Sequence, residues 1–139
     1  FCRLRPAKRD AVLQFIHPFL VRPFPGHRVA TVTTLSQVLL SGLDGGLSAE
    51  LVSGIAQSLL RAAGDAHSVV RKQGVRGLAH FVHLWQQRAA GAAGADEELV
   101  LRQVLPAACA GLNDPVAAVQ KEAVVAVQRA CQVEALPRE

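Results

Sequence analysis

Apolar side chains recur every three or four residues through most of the chain, and two stretches repeat the same pattern. AAGDAHSVVRKQGVRGL occupies residues 62–78, and LNDPVAAVQKEAVVAV occupies residues 112–127. An offset of 49 residues aligns Asp65 with Asp114 and superimposes the apolar positions that follow them. Because an α-helix turns once in about 3.6 residues, this spacing predicts that each stretch joins two helices through a short turn.

On a helical wheel of about 100° per residue, the second helix of each stretch has an apolar and a polar side. The side predicted to face the core carries Gly74, Val75, Leu78, Phe81, Val82 and Trp85, then Ala123, Val124, Val127, Ala130 and Cys131. The polar side carries Lys72, Arg76, His80 and His83, then Lys121, Gln128, Arg129 and Gln132, with Val125 as its one apolar member. The shared wheel predicts that both helices pack in the same orientation.

An earlier and weaker copy aligns Arg28 with Arg71. It predicts Thr31, Val32, Leu35, Val38 and Leu39 on the inward side, and Thr33, Ser36 and Gln37 on the outward side. Its first helix would cover about residues 7–21 with a kink at Pro18, as Pro106 predicts a bend in the last copy. Matching these prolines instead shifts the register by one helical turn, so the register stays open.

Start signals and connectors complete the predicted architecture. Asp114 before Pro115 is typical of a helix start, because the carboxylate caps free amides and proline suits the first helical position. Asp65 is placed to cap its own helix in the same way. We therefore expect an all-α fold in one domain, residues 1–139. Three antiparallel hairpins are predicted at about 7–42, 49–87 and 96–134.

The composition agrees with a helical fold, and the apolar runs and cysteines indicate in which compartment the protein is expected. Half of the 139 residues are hydrophobic but only 4% are aromatic, which favours small and straight-chain helix formers. VLQFIHPFLV is interrupted by His17 and Pro18 and lacks a following cleavage site, so neither a signal peptide nor a membrane span is predicted. Cys2, Cys109 and Cys131 are too scattered for a zinc or disulfide framework, and we expect buried reduced thiols in a cytoplasmic protein.

Candidate catalytic groups are isolated. His80 and His83 form HxxH without a nearby carboxylate or cysteine, which is a weak metal signal. Asp65, His67 and Ser68 lie within four residues of each other, whereas a catalytic triad converges from separate elements. We expect no catalytic, metal or cofactor site and no small-molecule substrate.

The repeated pattern resembles that of HEAT repeats. Aspartate, four residues, Val-Arg, two residues, a small residue, three residues and leucine occur as Asp65, Val70, Arg71, Gly74 and Leu78. The last copy has Gln120 where the family usually has arginine, and the first has Arg22 where it usually has aspartate. PGHRVATVTTLSQVL and VVRKQGVRGLAHF are more loosely similar to maestro heat-like repeat proteins. The resemblance implies an α-solenoid superhelix, cut from a longer array, with aspartate and arginine forming a ladder along the turns.

Arg71 itself calls for a structural partner. It lies on the apolar side of its helix at the first turn, and a guanidinium buried there without an acceptor would be destabilising by several kcal/mol or so. Asp65, other turn carbonyls or a neighbouring repeat could supply the acceptor. We therefore expect Asp65, Arg71 and Asp114 to act as the structural ladder.

The function predicted is a non-catalytic scaffold or protein-protein interaction module. Repeat stacking would bring the polar sides of successive helices together, a surface suited to an extended or acidic protein segment. The candidate contacts are Thr33, Gln37, Lys72, Arg76, His80, His83, Lys121, Arg129 and Gln132.

Charge supports an alternative function. The net charge is +4, but residues through Arg76 carry +6 and the remainder −2. The basic first half could therefore bind nucleic acid or an anionic membrane. The scarcity of aromatic residues for base stacking argues against that alternative.

Overall fold

Residues 24–41, 49–88 and 100–135 are described by a computed structural model, and all regular structure within these ranges is helical. The helices are α1 (Pro25–Ser41), α2 (Ala49–Ala63), α3 (Ser68–Arg88), α4 (Leu105–Gly111) and α5 (Ala117–Ala135), with a π-helical segment at Val100–Val104 leading into α4. The all-α prediction is confirmed for these residues. The helix predicted at about 7–21 and its kink lie outside them. No helix in the described ranges is long and apolar enough to cross a bilayer.

Helix α3 is the centre of the arrangement. It packs extensively against α1, α2 and α5, while α4 lies mainly against α5 and the π-helical segment. We call α2 with α3 the middle unit and α4 with α5 the last unit. Helices α1, α3 and α5 therefore pack in that order, with α2 and α4 completing the middle and last units.

The main core lies between α1, α2 and α3. Its largest fully buried side chains include Leu35, Leu39, Leu59, Leu78 and Phe81. Burying a side chain of this size contributes about 1.5–3 kcal/mol. The inward side predicted for α3 is confirmed in full, because all six of its residues, Trp85 among them, are buried.

A second core joins the middle and last units and is built from smaller side chains. It consists of Val75 and Ala79 of α3, Ala108 of α4, and Val119, Ala123 and Ala126 of α5. Alanine buries far less apolar area than leucine or phenylalanine, so each contact here contributes less. We call this contact between α3 and α5 the seam.

The prediction of an inward Val124 is wrong, since its exposed fraction is 44%. Helix α5 turns Ala123, Ala126 and Ala130 towards α3 and α4, and Val124 lies about 100° around the helix from Ala123. The wheel identified the apolar residues of α5 but not which of them would meet a neighbouring helix.

Two further expectations from the sequence are wrong. Ser36 was expected on the outward side of α1 but is buried, because α1 closes on α3 where Gly77 has no side chain. A Cβ on Gly77 would come 2.5 Å from the Ser36 Oγ. Cys109 was expected to be buried but is an exposed free thiol, since the short helix α4 turns Ala108 and Gly111 inward instead.

The bend predicted at Pro106 coincides with a change of helix type. The π-helical segment ends at Val104, and Pro106 lies in the first turn of α4. Proline has no N–H to donate and its ring crowds the carbonyl four residues earlier, so a widened turn in front of it relieves both problems.

Gly74 allows α3 to approach the end of α2. A Cβ at this position would lie 2.6 Å from the backbone nitrogen of Ala63 and 2.8 Å from the carbonyl carbon of Ala62. Both neighbours are backbone atoms that cannot move without shifting α2. The small residue of the repeated pattern is therefore needed for helix packing.

We expect Gly74→Ala to lower the free energy of unfolding by about 1–3 kcal/mol, because the added methyl group forces α2 and α3 apart. Gly54→Ala is the matched control, since Gly54 is exposed within α2 and a Cβ there meets nothing within 4 Å. That change should stabilise by about 0.5–1 kcal/mol through helix propensity. Urea denaturation of both variants tests the pair, and equal stabilisation by the two changes would contradict the close approach.

Candidate interaction surface and its ion pairs

Aspartate organises the turn before both α3 and α5. An Asp65 carboxylate oxygen accepts the His67 N–H at 2.8 Å, and an Asp114 carboxylate oxygen accepts the Val116 N–H at 2.9 Å. Each carboxylate thus satisfies an amide two residues on, at a helix start where free N–H groups and the helix dipole favour negative charge.

Arg71 connects the middle unit to the last unit. Its Nε and Nη2 donate to the two carboxylate oxygens of Asp114 at 2.7 and 3.2 Å. Its Nη1 donates to the backbone carbonyls of Asp65 and Ala66 at 3.1 and 2.9 Å. Of the acceptors considered from sequence, the turn carbonyls and the neighbouring unit both serve Arg71, whereas the Asp65 carboxylate does not.

Arg28 of α1 forms the equivalent contact with the middle unit. Its Nε and Nη2 donate to the two carboxylate oxygens of Asp65 at 2.8 and 3.1 Å. Sequence reasoning left Arg28 out of the ladder, although its alignment with Arg71 was a signal for it. We call the pairs Arg28–Asp65 and Arg71–Asp114 the rungs.

Gln120 occupies the rung position of the last unit. Its Nε2 donates to the backbone carbonyl of Asp114 at 2.5 Å, which reproduces the bond from the Arg71 Nη1 to the Asp65 carbonyl six residues earlier. A glutamine therefore keeps the contact to its own turn. It lacks the charge and the second donor group that a rung requires.

The rungs are bidentate ion pairs that are largely shielded from solvent. The side chains of Arg71 and Asp114 are only 17% and 8% exposed. Hydrogen bonds from Arg71, only partly opposed by burial, lower the pKa of Asp114, and the Val116 amide lowers it further. Burial by itself would raise the pKa of Asp65, but hydrogen bonds from Arg28 and the His67 amide reverse this and leave it lowered. Both carboxylates are held in the charged form.

Some of the predicted partner-binding residues are accessible to solvent, whereas Arg76 is bound to another side chain. Lys121 and Gln37 are exposed, and Thr33, Lys72 and His83 are partly exposed. The Gln132 side chain lies outside the described residues. Arg76 is engaged across the seam, where its Nη2 and Nε donate to the Glu122 Oε1 at 2.6 and 3.2 Å. Sequence reasoning missed Glu122, because Arg76 and Glu122 are 46 residues apart and nothing in the repeated pattern pairs them.

His80 is partly buried at the seam, one helical turn beyond Arg76. Burial lowers the pKa of its imidazole, and the positive charges of Arg129 and Arg76 lower it further, against a smaller opposing effect of Glu122. On the predicted surface, Glu122 offsets the charge of Arg76, whereas Lys72 and Lys121 add positive charge.

Within the described ranges, no three His, Cys, Asp or Glu side chains lie close enough together to hold a metal ion. Comparison of the chain with protein-family models, curated proteins and solved structures finds no match in any of the three. Its function has to be inferred from its own residues.

Arg71→Gln should lower the free energy of unfolding by about 2 kcal/mol at neutral pH, because Asp114 would lose two charged hydrogen bonds while remaining largely buried. Glutamine is the residue that the last unit carries at this position, so the helix should accept it. Urea denaturation measures the loss. Arg61→Gln, at an exposed position in the last turn of α2, is the control and should change stability by less than about 0.5 kcal/mol.

The same variant has a defined pH dependence. A carboxylate whose pKa is lowered on folding stabilises the fold above its unfolded value, 3.8 for Asp114, and loses that contribution as the pH falls through the lower folded value. The stability difference between the parent chain and Arg71→Gln should therefore shrink below about pH 3.8. A difference that stays constant down to about pH 2 would show that the charge of Asp114 is not involved.

Proposed function

We propose that the chain is a non-catalytic scaffold module of the HEAT-like α-solenoid type, in which the second helices of successive units form a protein-binding surface. The recurrence of the rung carries this proposal. In both Arg28–Asp65 and Arg71–Asp114, an arginine at the start of one second helix reaches the capping aspartate of the next unit.

The recurrence of this contact supports a recurring geometry between successive units. When each hairpin meets the next through the same residues, the same rotation and translation apply at every step, which is the property that defines a solenoid. The order α1, α3, α5 and the small residue at Gly74 agree with such stacking. The resemblance to HEAT repeats in sequence supports the same architecture.

The surface proposed for binding is centred on Lys72 of α3 and Lys121 of α5, bordered by Thr33, Gln37 and His83. Lys72 and Lys121 occupy equivalent positions in the two units, and Lys121 is exposed. Arg76, held by Glu122, is assigned to the support of this surface rather than to direct contact. Two ammonium groups on neighbouring helices suit an extended segment that carries carboxylates.

The polyanion alternative receives less support. Phe81 and Trp85 are buried and unable to stack on bases, and Glu122 offsets the charge of Arg76 on the same side of the molecule. Nucleic acid and anionic membranes are retained as outcomes of the test, because the first half of the chain carries most of the positive charge.

Lys72→Glu combined with Lys121→Glu should weaken binding of acidic peptides at least about tenfold, since two attractive contacts become repulsive. An array of extended peptides graded in net charge provides the measurement. Arg61→Glu is the control, because it reverses an exposed charge on α2, a first helix rather than one of the second helices that form the surface. Circular dichroism checks that each variant keeps the helical content of the parent chain.

Peptide binding that is absent in the parent, or lost equally in Arg61→Glu, would remove this surface from consideration. A parallel titration with duplex DNA, single-stranded RNA and vesicles containing phosphatidylserine at about 50 mM salt tests the alternative. Tight, salt-sensitive binding to one of these in the absence of peptide binding would favour the polyanion function.

A further inference from the structure

The seam between α3 and α5 combines the packing of small apolar side chains with a group of charged and titratable side chains. Its apolar part consists largely of alanine and valine side chains. Its polar part includes the Arg76–Glu122 pair, which bridges the two helices. A joint of this composition depends on the charge state of its polar groups more than the leucine-rich contact between α1, α2 and α3 does.

His80 is the group at the seam whose charge can change near neutral pH. Its Nδ1 is buried and has no hydrogen-bond partner among the described residues. A protonated imidazole donates from both nitrogens, so protonation would place an unsatisfied donor and a positive charge at a buried position.

The charges that act on His80 are mostly positive. Arg76 and His83 lie on α3 itself, and Arg129 and Glu122 come from α5. Glu122 is the one member of this group that would stabilise an imidazolium, and its carboxylate is already paired with Arg76 at 2.6 Å. Neutral His80 is compatible with these neighbours, whereas charged His80 is repelled by them.

We propose that the seam is an acid-sensitive joint, at which protonation of His80 weakens the packing of α5 on α3 and loosens the last unit from the middle unit. This inference does not rest on what the surface binds.

The pH range follows from linkage. Because burial and the two arginines lower the pKa of His80 below its usual 6.5, the folded chain binds fewer protons than the unfolded chain as the pH falls through that value. The contribution of His80 to stability is therefore fully present above about pH 6.5 and is lost progressively on acidification. Asp65 and Asp114, whose pKa values lie below 3.8, do not contribute to a change in this range.

The test compares urea midpoints of the parent chain and His80→Gln at about pH 7.5 and about pH 5.5. The parent midpoint should fall at the lower pH, and His80→Gln, which cannot gain a proton, should lose at most about half as much. His27→Gln is the control, because it removes an exposed histidine of α1, outside the seam, and it should retain the full loss. An equal fall in the parent and His80→Gln would overturn the proposal.

If His80→Gln folds poorly, two measurements on the parent chain test whether the seam is acid-sensitive. The His80 imidazole resonance should titrate with a midpoint below 6.5; a midpoint at or above that value would overturn the proposal. Amide hydrogen exchange, corrected for its intrinsic pH dependence, should become faster in α5 than in α1 at about pH 5.5. Equal changes in both helices would mean that the seam is not the place that acid weakens.

Discussion

The Arg71 guanidinium joins two hairpins through all three of its nitrogens. One nitrogen binds the turn carbonyls of its own unit, and the other two bind the Asp114 carboxylate of the next unit. The seam that this bond spans buries mainly small side chains. Arg28 makes the equivalent bond to Asp65 one unit earlier. One interaction therefore serves two purposes: it satisfies a partly buried arginine, and it binds the aspartate that precedes the following helix.

Within the part of the chain that the structure describes, hydrophobic periodicity predicted the helices and most of the core. It placed Val32, Leu35 and Leu78 correctly because these residues lie on sides of α1 and α3 that other helices cover. It failed for Val124 and Ser36 for a common reason. A wheel records which residues share a side of a helix, whereas burial depends on where a neighbouring helix comes to lie. That position is determined by contacts distant in sequence, such as the close approach of α1 at Gly77.

The polar contacts were predictable to different degrees. The start signals at Asp65 and Asp114 and the need of Arg71 for an acceptor followed from local chemistry, but the choice of acceptor did not, because Arg71 and its carboxylate partner are 43 residues apart. The alignment of Arg28 with Arg71 indicated that the two arginines are equivalent, but it did not show that Arg28 binds Asp65. Nothing in the sequence indicated that Glu122 would bind Arg76, since this bond does not recur between units. A contact that recurs can be found by aligning the repeated stretches of the sequence with each other. A contact that occurs once can be found only in the folded structure.

The coupling free energy between Arg71 and Asp114 tests the central claim most directly. It is obtained from a double-mutant cycle of Arg71→Gln, Asp114→Asn and the combined variant, each unfolded in urea at neutral pH. If the rung holds the middle and last units together, the coupling should be about 1.5–3 kcal/mol in favour of the pair. A coupling within about 0.3 kcal/mol of zero would mean that the two residues act independently, and the account of a ladder between units would be wrong.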